Sequence, residues 1–203
     1  MAAGPRSVAA TGASSSIAGA LSAAYSPLDL RWIFCDLERY ELPATVAEAD
    51  GYLLAAGFLA GERLEAMAPE LAARTFAVNL GATVQLAERI FAQHARARVA
   101  IIGSMSAFRG SYDLAYAVAK RGLVGYLDLR RDALAPGQKL AVLCPPIIAD
   151  SGMTRRRPDY PEILAKRETV LAVDVAHAVA NFIWGDLATG SFRILPGGAC
   201  LPL

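Results

Sequence analysis

The sequence predicts an α/β fold, a doubly wound parallel sheet of about six strands with helices on both faces. Three observations carry this. Short apolar runs alternate with helical patterns along the chain. The first run leads into a glycine and then a helix, in TGASSSIAG at residues 11–19. No repeat, linker or low-complexity tract interrupts the alternation, so residues 1–203 read as one domain. Strands that alternate with helices imply right-handed crossovers and a parallel sheet covered on both sides.

The elements follow in order. Ser7–Thr11 is a strand that ends at Gly12, and Ser16–Tyr25 is a helix of mostly small residues. Leu30–Cys35 and Gly51–Ala55 are the next two strands. Pro69–His94 reads as one long helix, and Arg98–Gly103 as a strand. Asp113–Ala135 is a helix and Leu140–Cys144 a strand. Ala149–Pro161 is the one long polar loop, carrying Arg155, Arg156 and Arg157. Asp174–Trp184 is a helix that Asp174 caps and Gly185 ends, with Val175, Val179 and Ile183 as its apolar stripe. Ser191–Leu195 closes the series.

Composition narrows the function. A formal net charge of +1 without a strongly basic block argues against general nucleic-acid binding. The longest apolar stretch, Tyr52–Ala60, is too short to span a bilayer, and the N-terminus does not read as a signal peptide. Cys35, Cys144 and Cys200 fit neither a disulfide framework nor a zinc site, so a reducing cytoplasm is expected. His94 and His177 lie far apart on helices and lack metal-ligand spacing, which leaves them as surface or packing residues and no metal is expected.

A strand, glycine turn and helix aim backbone N–H groups and the positive helix end at a point where a pyrophosphate can bind. Gly12 permits the turn, and Ser14 and Ser15 add hydroxyls; a small-residue turn with no ligand is the other reading of the same residues. Tyr116 and Lys120, in YAVAK, stand at positions i and i+4 and share a helix face, with Ser104 upstream. A phenol with an ordinary pKa of about 10 is a poor acid–base group near neutrality. Lowering it by about 3 units takes about 4 kcal/mol of preferential phenolate stabilisation, to which an ammonium one turn away can contribute. Ser104 can hydrogen-bond a substrate oxygen and stabilise the developing alkoxide.

Taken together these segments resemble the short-chain dehydrogenase/reductase family over nearly the whole chain. Gly12 matches the first glycine of its TGxxxGxG turn, while Ser16 and Ala18 stand where the second and third glycines would be. Leu54-Ala55-Ala56-Gly57 is similar to the NNAG segment with alanines for both asparagines. Cys144-Pro145-Pro146-Ile147-Ile148 resembles the PGxI loop, and Thr189-Gly190 through Gly198 the family's ending. The resemblance implies a Rossmann-like fold and a catalytic set of Asn79, Ser104, Tyr116 and Lys120, with Lys120 also holding the nicotinamide ribose and Asn79 a relay water. It implies cofactor contacts at Gly12, Ser14, Ser15, Ile17, Asp36, Leu37, Ala56, Gly57, Tyr116, Lys120, Pro145 and Ile148. The family has two strands between its first helix and the NAG segment where this chain has room for one. One strand–helix unit is therefore missing, and Leu30–Cys35 is expected to take the vacant place beside the first strand. Asp36 would then lie near the adenosine, where a carboxylate accepts ribose hydroxyls and repels a 2′-phosphate. No Arg or Lys lies in Gly12–Ser16, so NAD(P) is expected with a lean to NAD.

The expected activity is hydride transfer between a nicotinamide cofactor and a small ketone or secondary alcohol, with Tyr116 as general acid/base. Two rivals stay open: a lyase or epimerase using the same Tyr–Lys pair, and a non-catalytic regulatory protein on the same fold. Arg155–Arg157 could meet an acidic substrate group, but such a run is more often solvated. The family dimerises through the two long helices, so a homodimer or homotetramer is expected, with Leu123, Val124 and Leu127 among the apolar residues offered.

Overall fold

A computed structural model describes residues 6–12, 15–63, 66–109, 111–156 and 159–203. Ser14 and Arg157 of the sequence expectations lie outside the described residues. The chain runs β1 (Arg6–Thr11), α1 (Ser16–Ala24), β2 (Leu28–Trp32), β3 (Gly51–Leu54), α2 (Pro69–Phe76), a π turn (Ala77–Gly81), α3 (Ala82–Gln93), β4 (Arg98–Ile102), α4 (Ser106–Arg109) and α5 (Leu114–Arg130). It continues through β5 (Lys139–Cys144), β6 (Ile147–Ile148), α6 (Gly152–Arg155), α7 (Tyr160–Lys166), β7 (Thr169–Val170), α8 (Ala172–Trp184), β8 (Gly190–Ile194) and β9 (Cys200–Pro202).

Seven strands form one sheet in the order β2-β1-β3-β4-β5-β8-β9. Every neighbouring pair is parallel except β8 with β9, which is antiparallel. The central strands are almost wholly apolar and buried, as strands covered on both faces must be. Val8, Ala10, Leu53, Ala100 and Leu143 face a cluster built with α1 and α8. Ala9, Tyr52, Leu54, Val99 and Val142 face the opposite one, built with α3 and α5. The alternation along each strand thus feeds two cores, and the C-terminal strand ends open onto one edge.

The expected vacancy is filled as the length argument requires: β2 pairs directly with β1 and is the last strand on that side. It begins and ends earlier than Leu30–Cys35. The chain leaves the ladder after Ile33, whose N–H still reaches Ala10 O, because residues 36–41 fold into a tight turn. Asp36 and Glu41 exchange both main-chain hydrogen bonds, and Asp36 Oδ1 accepts from the N–H groups of Glu38 and Arg39.

Four other expectations are revised. The long helix carries a π turn in which Ala82 N–H reaches back to Ala77 O, one residue beyond the α spacing. Ala149–Pro161 is not all loop, since Ser151 caps the short α6 and α7 starts at Tyr160. Asp174 is the third residue of α8 rather than its cap; its carboxylate accepts from Leu171 N–H and from Gly197 N–H. Leu123, Val124 and Leu127 are at most 5% exposed and belong to the core, so they cannot form an interface. The expected stripe of Val175, Val179 and Ile183 is buried, and Gly185 ends α8. His94 stacks on Tyr52 and His177 meets Tyr25 edge-on, both as packing residues. Among the described residues no helix is long and apolar enough to cross a membrane.

Candidate functional site

The site is assembled where β1, β3, β4 and β5 end. At Gly12 the backbone turns with φ +76°, a region that favours glycine, and Ser15 N–H closes the turn onto Gly12 O at 2.7 Å. A Cβ at Gly12 would stand 3.1 Å from Ala56 N and 3.2 Å from Ala55 C. Gly12 therefore serves both the turn and the close approach of the β3 end, which Ala56 N–H secures by donating to Thr11 Oγ1 at 3.3 Å. Ser15 is the N-cap of α1, accepting from Ile17 N–H at 3.3 Å. Its hydroxyl proton is still available to a ligand. Ile17 is not: its N–H is taken by the cap, and its side chain is 4% exposed in the core. Ala18, at the third glycine position, is fully buried, so its methyl group packs inward and does not crowd the turn.

Beside this turn lies a cleft of about 420 Å³ lined by Gly12, Asp36, Leu37 and Ala56 together with Ile33 and Val78. Four of the expected cofactor residues are thus brought together. Asp36 reaches the cleft, but its Oδ1 holds its own turn and its Oδ2 lies 3.7 Å from Arg39 Nε. A carboxylate committed in this way is a weak selector against a 2′-phosphate.

At the other end, Lys120 is 3% exposed, and its Nζ donates to Ile102 O at 2.9 Å. Burial pulls its pKa down to about 8. Tyr116 lies on the same face of α5, with Lys120 Nζ 5.6 Å from its ring centroid. Burial pushes the phenol up to about 12, opposed by a hydrogen bond with Ser104. The expected lowering by Lys120 does not occur among the protein's own groups. The ammonium is itself desolvated and points at a main-chain carbonyl, so burial prevails over charge.

Asn79 sits in the π turn with 0% exposure. Its Nδ2 donates to Phe58 O at 2.6 Å and to Thr75 O at 2.9 Å, and its Oδ1 accepts from Phe58 N–H at 3.1 Å. The amide is spent on pinning residue 58, which makes Asn79 a positioning residue whose side chain is not free for a relay water. Gly57 is where the pieces meet. A Cβ there would lie 3.5 Å from Asn79 Oδ1, 3.7 Å from Met153 Cε and 3.9 Å from Lys120 Nζ. Ser104 follows β4, where its Oγ accepts from Ser106 N–H at 3.1 Å. Pro145 O accepts from Met105 N–H and so closes the Ser104 turn onto the end of β5. Ile148 lies farther along, in β6, half-buried against the α8 side of the sheet.

Two residues of the site were missed in the sequence. Asp113 is fully buried; its Oδ1 caps α5 by accepting from Tyr116 N–H at 2.9 Å, and its Oδ2 accepts from Gly61 N–H at 3.0 Å. An Asp at a helix start signals the cap, but nothing in the sequence signals the link to Gly61. Asp113→Ala is expected to lose the cap and to leave two part-buried N–H groups, of Tyr116 and Gly61, without their acceptor, costing about 1–3 kcal/mol in urea unfolding. Met153, from α6, brings its methyl group beside Gly57.

The constellation offers a phenol and a hydroxyl within hydrogen-bond reach and a buried ammonium. The cleft beside the Gly12 turn adjoins them through Ala56, the neighbour of Gly57. No family model matches the chain, and no curated protein matches it in sequence. Solved structures do match. A short-chain dehydrogenase family protein from Francisella tularensis is 15% identical with TM-score 0.79, covering 96% of this chain and 98% of that one. The ligand-free aldohexose dehydrogenase of Thermoplasma acidophilum is 18% identical with TM-score 0.77, covering 96% and 93%. BdcA, in complex with NADPH, is 19% identical with TM-score 0.75, covering 98% and 96%. Likeness at this identity establishes that the chain has the short-chain dehydrogenase fold. It lends no support to the lean toward NAD.

Proposed function

We propose that the chain is a short-chain dehydrogenase/reductase, an NAD(P)-dependent oxidoreductase acting on a small ketone/secondary-alcohol pair. The observation that carries this is the meeting of Asn79, Lys120 and Gly57 beside the Ser104–Tyr116 pair, with Ala56, next to Gly57, lining the cleft at Gly12. Gly12, Ser15 and the α1 N-terminus would hold the pyrophosphate, and Leu37, Ala56 and Asp36 would border the adenosine. When bound, the dinucleotide supplies or accepts the hydride. Tyr116 gives the proton to the substrate oxygen, Ser104 hydrogen-bonds that oxygen, and Lys120 provides positive charge and a ribose contact. Asn79 ties Phe58 to the π turn and Asp113 ties Gly61 to the start of α5, so the 57–61 wall of the site is anchored at two points.

The methyl of Met153 beside Gly57 favours one second reading, a regulatory protein on this fold that binds no dinucleotide. Titration with NADH and with NADPH separates the two. Trp32 borders the neighbouring cleft and adjoins Ile33 of the cofactor cleft, so bound reduced cofactor is expected to quench tryptophan emission by energy transfer. Binding of either cofactor in the micromolar range supports the oxidoreductase. No quenching by either at millimolar concentration refutes it. A homodimer or homotetramer through the long helices is part of the same proposal, carried now by the exposed Leu114, Val118 and Leu129 of α5.

A further inference from the structure

The outer edge of β2 is bare. It ends the sheet, and among the described residues no strand pairs its far side. Ile33 N–H points inward to Ala10 O, so by alternation the main-chain groups of Asp29 and Arg31 also face β1. Those of Leu28, Leu30 and Trp32 then point outward. No bulge, lysine or proline lies within Leu28–Trp32, and its two charges, Asp29 and Arg31, are opposite in sign. Just beyond it Phe34 is 79% exposed.

The sequence of this edge is complementary to itself. Turned antiparallel about Leu30, Leu28 of one copy faces Trp32 of the other, and Asp29 of one faces Arg31 of the other. The outward main-chain groups fall on Leu28, Leu30 and Trp32, the positions that become hydrogen-bonded pairs in this register. Asp29 and Arg31 fall on the non-hydrogen-bonded pairs, where opposed side chains approach most closely. Centring the pairing on Asp29 or on Arg31 would set that charge against its own copy. Within one chain the two side chains already lie on the same face, with Arg31 Nε donating to Asp29 Oδ2 at 2.8 Å. Each is about half exposed, and Arg31 also donates Nη1 to Glu48 O at 2.6 Å, a contact that the carboxylate exchange leaves in place.

We propose that two copies of this chain join their sheets through antiparallel β2–β2 pairing centred on Leu30, held by crossed Asp29–Arg31 pairs. This contact is separate from the helical one, and none of Leu28–Trp32 lines the cofactor cleft.

The test is the mass in solution of four samples, the wild type, two variants and their mixture, by light scattering on a sizing column. Asp29→Arg places two cations opposite each other on each side of the axis, and Arg31→Asp places two anions there. Each variant alone is expected to have half the mass of the wild type. Mixed in equal amounts, the two are expected to regain the full mass, since every cross-strand pair is again opposite in charge. A folding defect in either variant could not be repaired by mixing, so recovery distinguishes the contact from damage. A monomeric wild type, an unchanged mass in both variants, or no recovery on mixing would each overturn the proposal.

Discussion

Tyr116→Phe is expected to lower turnover by a factor of about 10²–10⁴, the usual span for losing one positioned acid–base group. Removing one oxygen leaves the ring on α5 with its packing intact, so the melting temperature and the affinity for reduced cofactor should hardly move. The loss should fall on kcat rather than on KM, because the phenol acts when the substrate oxygen gains charge. With the phenol pushed up to about 12, the protein alone favours the protonated donor at neutral pH, which suits carbonyl reduction. Oxidation of the alcohol needs the phenolate and so needs more positive charge nearby than Lys120 delivers at 5.6 Å from the ring centroid. The two directions should accordingly differ in pH dependence, the oxidation rate still climbing at pH values where reduction has levelled. A Phe variant with near wild-type turnover would remove Tyr116 from the chemistry.

The sheet was legible because each strand is a short run closed by a glycine or polar break, and because a one-strand gap between α1 and β3 has one place to go. The limits of β2 were not legible. Asp36 closes a turn with main-chain groups two and three residues on, and that competition ended the strand before Cys35. Asn79, Ser104, Tyr116 and Lys120 could be placed from pattern alone, but their electrostatics could not. A sequence shows an ammonium one turn from a phenol; it does not show that the ammonium is buried against Ile102 O. Long-range main-chain contacts were hidden for the same reason. Asp113 to Gly61 and Asn79 to Phe58 join segments that are distant in the chain, and only the fold brings them within 3.1 Å. Ile17 and Leu123, Val124 and Leu127 of α5 show the reverse error. A pattern that marks a residue for a ligand or a partner also suits the core, and there the core took it.

Lys120→Met is expected to stabilise the protein at pH 7 while abolishing its turnover. A buried ammonium whose pKa falls from 10.5 to about 8 carries a folding penalty of about 3 kcal/mol at neutral pH. Methionine fills similar space without that charge, but it leaves Ile102 O without its donor, which returns about 1–2 kcal/mol. The net gain is roughly 1–2 kcal/mol, or about 2–8 °C in melting temperature for a chain of this size. The sign reverses the usual cost of losing an active-site residue, and its pH dependence identifies the cause. Below pH 8 the lysine is charged in both states and the penalty is complete. Between pH 8 and 10.5 the unfolded chain binds more protons than the folded one, so the wild type gains stability as pH rises. The advantage of the methionine variant should therefore shrink across that window, vanish within it and reverse near its upper end, where only the lost hydrogen bond to Ile102 O remains. Tyr116 titrates in both proteins and its shift owes nothing to Lys120, so it cancels in the difference. Urea midpoints of the two proteins at pH 7 and near pH 10 decide the matter. A gap that stays constant with pH, or a variant weaker than wild type at pH 7, would mean that the ammonium is better solvated or better paired than its burial implies.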